Sequence, residues 1–460
     1  MPAHSGQISG TRGHAEPVLD RASATDRAFL AIDRGRTPKN FGVLLIFEAD
    51  GFDLGSAQQL MAERVAGIPR LRQRLIKTPA GCGGPIWVDD DAFELGRHLR
   101  LVRCPEPADD QALLDAAYQV VRTPMPRDRP LWSGAFITGL AGGRTALVIA
   151  LHHALTDGVG GLGILTELAD PGAAGPDRGF PRPRPSRARL ARAAWSELIK
   201  KVGESGHRLR LLRASVASSG GAVPPPAAAC SLVGPTGGRG RLAVVRIPRA
   251  PLRAAAHRQG ATTNDAILVA VAALFERLLR SSGEKLDTLR IGVPVSGRPV
   301  GESSAGNQVS PMLVGVPTHG DLAARLRQVA AITRARKPGA QGPPPMALLG
   351  WVFRLLAAAG WFRWYLNHQR RMHTLVSSIR GPAEPITFGG VPIQVAIPVG
   401  VADDGNQSLG FIVLSYAGTL TISVIMDPRR FPDPAVVVDA LTTELAMIMV
   451  PESVPDSAAY

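Results

Sequence analysis

The chain is short of the residues that would commit it to several common protein classes. Three cysteines (Cys82, Cys104 and Cys230) in 460 residues are odd in number and scattered. They imply no disulfide framework and point to a reducing compartment. No cluster of Cys, His and carboxylates has ligand spacing, so no metal site is expected. Aromatic residues make up only 5% of the chain. That is too few for the stacking platforms of single-strand binders, and with no recognisable nucleic-acid motif a nucleic-acid partner is not expected. There is no G-x-S-x-G turn, which argues against a serine-hydrolase nucleophile. Residues 1–17 are polar and glycine-rich without an apolar run, so no signal peptide is expected. Acidic residues are outnumbered 38 to 52 by Lys and Arg, for a formal charge of +14. Phosphates or anionic lipid head groups therefore suit the chain as partners.

What is present reads as two α/β halves. Hydrophobic residues reach 45%, enough for real cores. Residues 1–21 read as a disordered N-terminus and 22–170 as a first α/β unit. Residues 171–240, rich in Pro, Gly and Arg, read as a crossover. Residues 241–452 form a second α/β unit, and 453–460 a tail. Within the first unit, Phe41–Phe47, Trp132–Gly139 and Thr145–Leu151 read as strands, and Ser56–Val65 and Asp109–Val121 as helices. Leu190–Ala217 reads as a basic helix. In the second unit, Leu242–Ile247, Leu289–Val295 and Gln308–Val316 read as strands. Asn264–Leu279, Leu322–Arg336 and Pro434–Val450 read as helices, and Ile412–Ala417 with Leu420–Met426 as a hairpin about Gly418.

The most informative stretch is His152-His153-Ala154-Leu155-Thr156-Asp157-Gly158. Two histidines stand at the end of a buried strand, where side chains can reach a cleft, and histidine is the side chain best suited to take a proton near neutral pH. Adjacent histidines on an extended chain face opposite ways, which disfavours joint metal ligation. Gly158, Gly160 and Gly163 satisfy G-x-G-x-x-G. A dinucleotide fold would then need a strand ending in an acid some twenty residues on; the chain instead runs into Pro171-Gly172, and a nucleotide site is rejected. Met346–Leu366 carries Trp351, Trp361, Trp364, Phe353 and Phe362, interrupted by Arg354 and Arg363. Hiding both arginines in a bilayer would cost about 2.5 to 3.5 kcal/mol each. Two readings remain: a helix lying on a membrane surface, or one packed on the protein's own core.

The histidine stretch resembles the HHxxxDG signature of the chloramphenicol-acetyltransferase-like superfamily. Further motifs occur in order: Pro69-Arg-Leu-Arg72, Pro85-Ile-Trp-Val-Asp-Asp90, Asp128-Arg-Pro-Leu-Trp132, Asn264-Asp265, Val293-Pro-Val-Ser-Gly-Arg298, Gly306-Asn-Gln-Val-Ser310 and Ser415-Tyr-Ala-Gly418. Together they resemble the bacterial wax ester synthase/diacylglycerol acyltransferase family over roughly residues 22 to 450. The resemblance implies two chloramphenicol-acetyltransferase-like α/β halves joined by a crossover, with a tunnel between them. It implies an O-acyltransferase moving a long-chain acyl group from acyl-CoA to diacylglycerol, with fatty alcohols as a further acceptor. Acyl-CoA would be a substrate, and no cofactor is expected. The expected location is the cytoplasm, peripherally at the inner face of the plasma membrane or at lipid bodies. Two departures bear on substrate preference: Ser378-Ile-Arg-Gly-Pro382 stands where the family has Asn-Val-Pro-Gly-Pro, and Pro38-Lys39-Asn40 where it has Pro-Met-His.

On this reading His153 matches the general base that takes the acceptor's proton, His152 supports it, and Gly158 permits a tight turn. Asp157 is either an acid–base partner or, as the resemblance implies, a structural brace paired with an arginine. Arg72 matches that arginine best and Arg298 next. Asn264 is either a helix N-cap or a donor that orients His153 or the oxyanion. Substrate-binding residues, chain length and oligomeric state are not set by the sequence. Two other functions fit the same residues: an acyltransferase of complex-lipid or polyketide assembly using a carrier-bound donor, and a catalytically dead lipid-binding scaffold.

Overall fold

The computed structural model describes residues 19–33, 37–47, 52–172, 179–203, 226–296, 309–340, 345–402 and 405–450, with isolated positions between them. The expected disordered N-terminus (to residue 18), the tail 453–460, Arg298 and much of the 204–225 stretch lie outside the described residues.

Fourteen strands are described: β1 (Asn40–Phe47), β2 (Gln73–Ile76), β3 (Ile86–Asp89), β4 (Leu99–Arg103), β5 (Trp132–Thr138), β6 (Thr145–His152), β7 (Arg241–Pro248), β8 (Thr288–Ser296), β9 (Val309–Pro317), β10 (Thr374–Arg380), β11 (Thr387–Phe388), β12 (Val391–Gly400), β13 (Leu409–Tyr416) and β14 (Thr419–Met426). They form one six-stranded sheet in the order β11-β12-β1-β6-β5-β4, a second in the order β7-β14-β13-β10-β8-β9, and the short β2–β3 pair. The apolar run before the histidines makes β6 a central strand, buried at every position but Thr145, as expected for a strand covered on both faces.

The sheets do not each come from one half of the chain. β11 and β12, from the second half, cross back to join the first sheet. β12 pairs antiparallel with β1, Leu44 opposite Ile397, with a bulge between Ile46 and Phe47. Tyr416 locks the crossing: its hydroxyl donates to the Ile393 carbonyl at 2.8 Å and accepts from Ile386 N at 3.0 Å. One hydrophobic cluster accordingly mixes both halves, with Val148 and Ala150 against Leu242, Ile397 and Ile425. No run of hydrophobicity in the sequence signals this exchange, because strand order follows from packing.

Helices cover both sheets. Leu54–Gly67 lies over one face of the first sheet and Asp110–Val121 over the other. Thr263–Arg280 is the central helix of the second core, packed with Leu322–Ala340 and Ala435–Met449. The basic helix is described over Arg187–Gly203, beginning three residues before the expected start. The expected hairpin is β13–β14. The aromatic segment forms two helices, Pro345–Ala358 and Phe362–His368. Among the described residues no helix is long and apolar enough to cross a membrane.

Candidate active site

β6 brings the histidine pair to its C-terminal end, next to β1, where Asn40 stands opposite His152. The chain then turns through Ala154–Asp157 into the helix Gly158–Leu168. Asp157 is the N-cap of that helix: Oδ1 accepts from Gly160 N at 3.0 Å, and the residue is buried. An N-cap carboxylate satisfies an otherwise orphaned N–H and favours the helix dipole. The glycines of the G-x-G-x-x-G pattern lie inside this helix, not in a phosphate-cradling loop.

The two histidines are held differently. His152 is buried, and its ring is fixed at both nitrogens. Nδ1 accepts from Ala154 N at 2.8 Å, so the proton sits on Nε2, which faces Asp33 Oδ2 at 3.2 Å. Asp33 also accepts from Lys39 N at 3.1 Å and pairs with Arg127 at 3.1 Å. Burial pushes the Asp33 carboxyl up, but the His152 hydrogen bond, Lys39 N–H and Arg127 outweigh it and hold it below the ordinary carboxylate range. His152 thus ties the strand end to the segment leading into β1, a bracing role.

His153 has its backbone pinned and its ring left open to chemistry. Its N–H donates to the Lys39 carbonyl at 2.8 Å, and its carbonyl accepts from the Asn307 amide, which also donates to Asp26 at 2.8 Å. The imidazole is sandwiched between Phe29 (ring centroids 4.9 Å apart) and Phe41 (4.6 Å). Its Nδ1 is buried and has no hydrogen-bond partner among the described residues. Burial above all, with smaller contributions from His152 and Lys39, pushes its pKa down to about 3. At neutral pH the ring is therefore the neutral, proton-accepting form that a general base requires.

Gly158 and Gly161 give the helix its close approaches. A Cβ on Gly158 would lie 2.8 Å from Ile379 of β10, and one on Gly161 would lie 2.8 Å from the Phe41 ring. These contacts bring the first sheet, the motif helix and the second sheet together around an apolar slot lined by Phe41, Leu151, Gly161, Leu165, Ile379 and Leu414. Where an open tunnel was expected, the slot measures only 40 Å³, about the space of a single water. A cavity of 630 Å³ opens on the other face of the helix, lined in part by Gly160, Gly163, Thr156, Arg70, Trp87 and Arg182. That is already the size of a typical ligand pocket, roughly 300 to 1,000 Å³.

Two sequence expectations need correction. Arg72 does not brace Asp157. Its guanidinium stacks over the Phe180 ring at 3.8 Å and lies 3.8 Å from Asp177. The segment after the motif helix folds back over Arg72 and supplies both contacts. Arg298, the other candidate, lies outside the described residues. Asn264 is not the helix N-cap. Thr262 is, in a capping box with Asp265, while Asn264 Oδ1 accepts from the Ser378 hydroxyl at 2.7 Å. Ser378 and the slot residue Ile379 are consecutive on β10, so this strand ties Asn264 to the wall that Gly158 packs against. Ser378 occupies a position where the chain departs from the family pattern.

Several residues of the site carried no readable role in sequence. Phe29 and Asp33 sit on or just after the helix Ala24–Ile32, more than a hundred residues before the histidines, with no motif around them. Asn307 lies in a recognisable motif, but its bond to the His153 carbonyl follows from tertiary packing alone.

This is a two-sheet α/β fold with a histidine pair placed at the junction of the sheets. The wax ester synthase/diacylglycerol acyltransferase catalytic domain matches residues 22–267, and the C-terminal domain of the same family matches residues 305–449. The chain belongs to the wax ester synthase/diacylglycerol acyltransferase family. It is 29% identical over 418 residues to a probable diacylglycerol O-acyltransferase, tgs1, of Mycobacterium tuberculosis (strain ATCC 25618 / H37Rv), covering 84% of this chain and 86% of the relative. It is 26% identical over 467 residues to a putative diacylglycerol O-acyltransferase, Rv1760, of the same strain, covering 92% and 89%. The fold matches the wax ester synthase/diacylglycerol acyltransferase of Marinobacter aquaeolei VT8 with a TM-score of 0.65 at 22% identity, over 93% of this chain and 98% of that one. It also matches the starter condensation domain of rhizomide synthetase, with a TM-score of 0.60 at 16% identity over 94% of each.

Proposed function

We propose that this protein is an acyl-CoA:diacylglycerol O-acyltransferase that moves a long-chain acyl group to the free hydroxyl of diacylglycerol, with fatty alcohols as a further acceptor. The observation that carries the reading is His153: a neutral imidazole, pinned by its backbone and clamped between two phenyl rings beside an apolar slot. The acceptor oxygen attacks the thioester carbonyl carbon while its proton passes to the His153 imidazole. The tetrahedral intermediate collapses, the C–S bond breaks, and the imidazolium returns the proton to the departing CoA sulfur. The thioester is already activated, so no acyl-enzyme is needed.

Asn264 is the proposed oxyanion donor. Ser378 donates to its Oδ1, which leaves the amide N–H groups for a developing negative charge. The slot parts to admit an acyl chain, which also keeps water from the base and disfavours hydrolysis. The scheme runs on protein side chains alone, and activity is expected to survive EDTA. An acceptor of this kind lives in a lipid phase, so the enzyme works peripherally at a lipid surface.

A second reading, acyl transfer from a carrier protein, is favoured only by the likeness to condensation domains. One experiment separates them: incubate the protein with labelled palmitoyl-CoA, or with a palmitoylated carrier protein, and a panel of diacylglycerols and alcohols. Labelled triacylglycerol from the CoA donor supports the proposal. Ester or amide formed only from the carrier would replace it, and no product from any donor would leave a lipid-binding scaffold.

A further inference from the structure

Two helices far apart in sequence share one support. Pro345–Ala358 packs on Ala24–Ile32: the Gly350 backbone is so close that a Cβ there would lie 3.3 Å from the Ala24 carbonyl and 3.6 Å from Ala28. Arg187–Gly203 is tied to the residues just before that same helix, with Arg21 pairing with Glu197 at 2.7 Å and donating to the Leu190 carbonyl at 3.0 Å. Arg27, on the shared helix, lies within electrostatic reach of both Arg354 and Glu197. The two elements therefore share one support.

Helix Arg187–Gly203, and the turn and short helix Phe362–His368 that follow Pro345–Ala358, present large apolar side chains to solvent. Trp195, Ile199, Trp361 and Trp364 each keep 64% to 67% of their surface exposed. Such groups are normally buried, and several together mark an interaction surface. Cations border them: Arg192, Lys200, Arg354 and Arg363 are exposed. Glu197 is the only acidic residue in either stretch, 187–203 or 345–368, and it is spent on Arg21. Tryptophan at head-group depth with flanking cations is the chemistry of a helix lying in an anionic bilayer interface.

We propose that helix Arg187–Gly203 and the helix pair Pro345–Ala358 and Phe362–His368 form one bipartite docking face for an anionic phospholipid surface, with Pro345–Ala358 packed on the helix that walls the catalytic base. That helix carries Phe29, whose ring stacks on His153. Docking therefore sets the base next to the phase that holds the lipid acceptor. The identity of that cargo rests on the acyltransferase reading; the docking itself does not.

The test uses the full-length chain and a variant with Trp195→Ser, Ile199→Ser, Trp361→Ser and Trp364→Ser. All four side chains are exposed, so its melt should match wild type. Flotation is measured with phosphatidylcholine vesicles with and without phosphatidylglycerol, both carrying diacylglycerol. Wild type should float with the anionic vesicles and be released by salt. The fourfold variant should lose vesicle binding by roughly tenfold or more, and each two-residue variant on one helix by less. Triacylglycerol formation on vesicles should fall in step, while CoA release with a water-soluble short-chain alcohol stays at the wild-type rate. If the variant floats like wild type, the docking face is wrong. If wild type does not float but self-associates, and the variant is monomeric, the face joins two copies and the proposal is overturned. If binding is lost as expected but wild type esterifies no acceptor, the docking face stands and the acyltransferase reading falls.

Discussion

Gly161 offers a worked test of how the motif helix supports the base. Replacing it with alanine in the Gly158–Leu168 helix should gain about 1 kcal/mol from helix propensity alone. Against this, the new Cβ would sit 2.8 Å and 3.1 Å from two Phe41 ring atoms and 3.2 Å from Leu151. Overpacking of this kind costs about 1 to 3 kcal/mol, so the net result is a loss of up to about 2 kcal/mol. The ring can yield only by moving, and its other neighbour is His153 at 4.6 Å. Gly161→Ala should therefore lower turnover as well as stability. Adding Phe41→Leu, which removes the clashing atoms, should recover stability while leaving turnover low, because the clamp on the imidazole stays broken. Urea melts and CoA-release kinetics would check both. A Gly161→Ala protein with a raised urea midpoint and normal turnover would refute the packing argument.

Other outcomes follow from the same geometry. His153 has a folded pKa near 3, below its unfolded value of about 6.5, so the unfolded chain binds the extra proton between those values. Its contribution to stability is complete above about pH 6.5 and is lost as pH falls toward 3; His153→Ala should flatten that part of a stability–pH curve measured by denaturant melts. By the same token kcat/KM should show no acid limb from this residue between roughly pH 5 and 8. His152→Ala strands the buried Ala154 N–H, at about 1 to 3 kcal/mol, and should lower the melting midpoint together with activity. Arg72→Ala and Asp157→Ala should show additive losses in a double-mutant cycle, because Arg72 meets Asp177 and Phe180 instead. A coupling energy above about 0.5 kcal/mol would contradict that placement.

The histidine motif was legible because it combines a rare residue pair with a buried strand and a capped helix, each written in local sequence. The same holds for the β13–β14 hairpin and the helix Thr263–Arg280, whose alternation or capping chemistry is local. What holds the two histidines was not legible. Phe29, Asp33 and Phe41 approach from the other end of the first unit, and Asn307 from the second. Strand β12 joins the first sheet because its apolar face fits β1 and the Asp110–Val121 helix, and nothing in its own residues chooses that partner. Arg72 illustrates the limit most clearly. Its motif was recognisable, yet its partner depends on a Pro- and Gly-rich return loop whose path no periodicity records. In the aromatic segment Gly350 and Ala357 face the protein, while Leu355, Trp361 and Trp364 face solvent.

The most direct test of His153 as the base of an acyl transfer is the rate of CoA release from palmitoyl-CoA, with and without diacylglycerol, for wild type and His153→Ala. Wild type should release CoA far faster with diacylglycerol than without, and His153→Ala should lose roughly 10²- to 10⁴-fold of that rate while keeping a cooperative melt. Equal rates with and without diacylglycerol would mean a thioesterase, and a folded His153→Ala protein with near-normal turnover would mean that another group takes the proton.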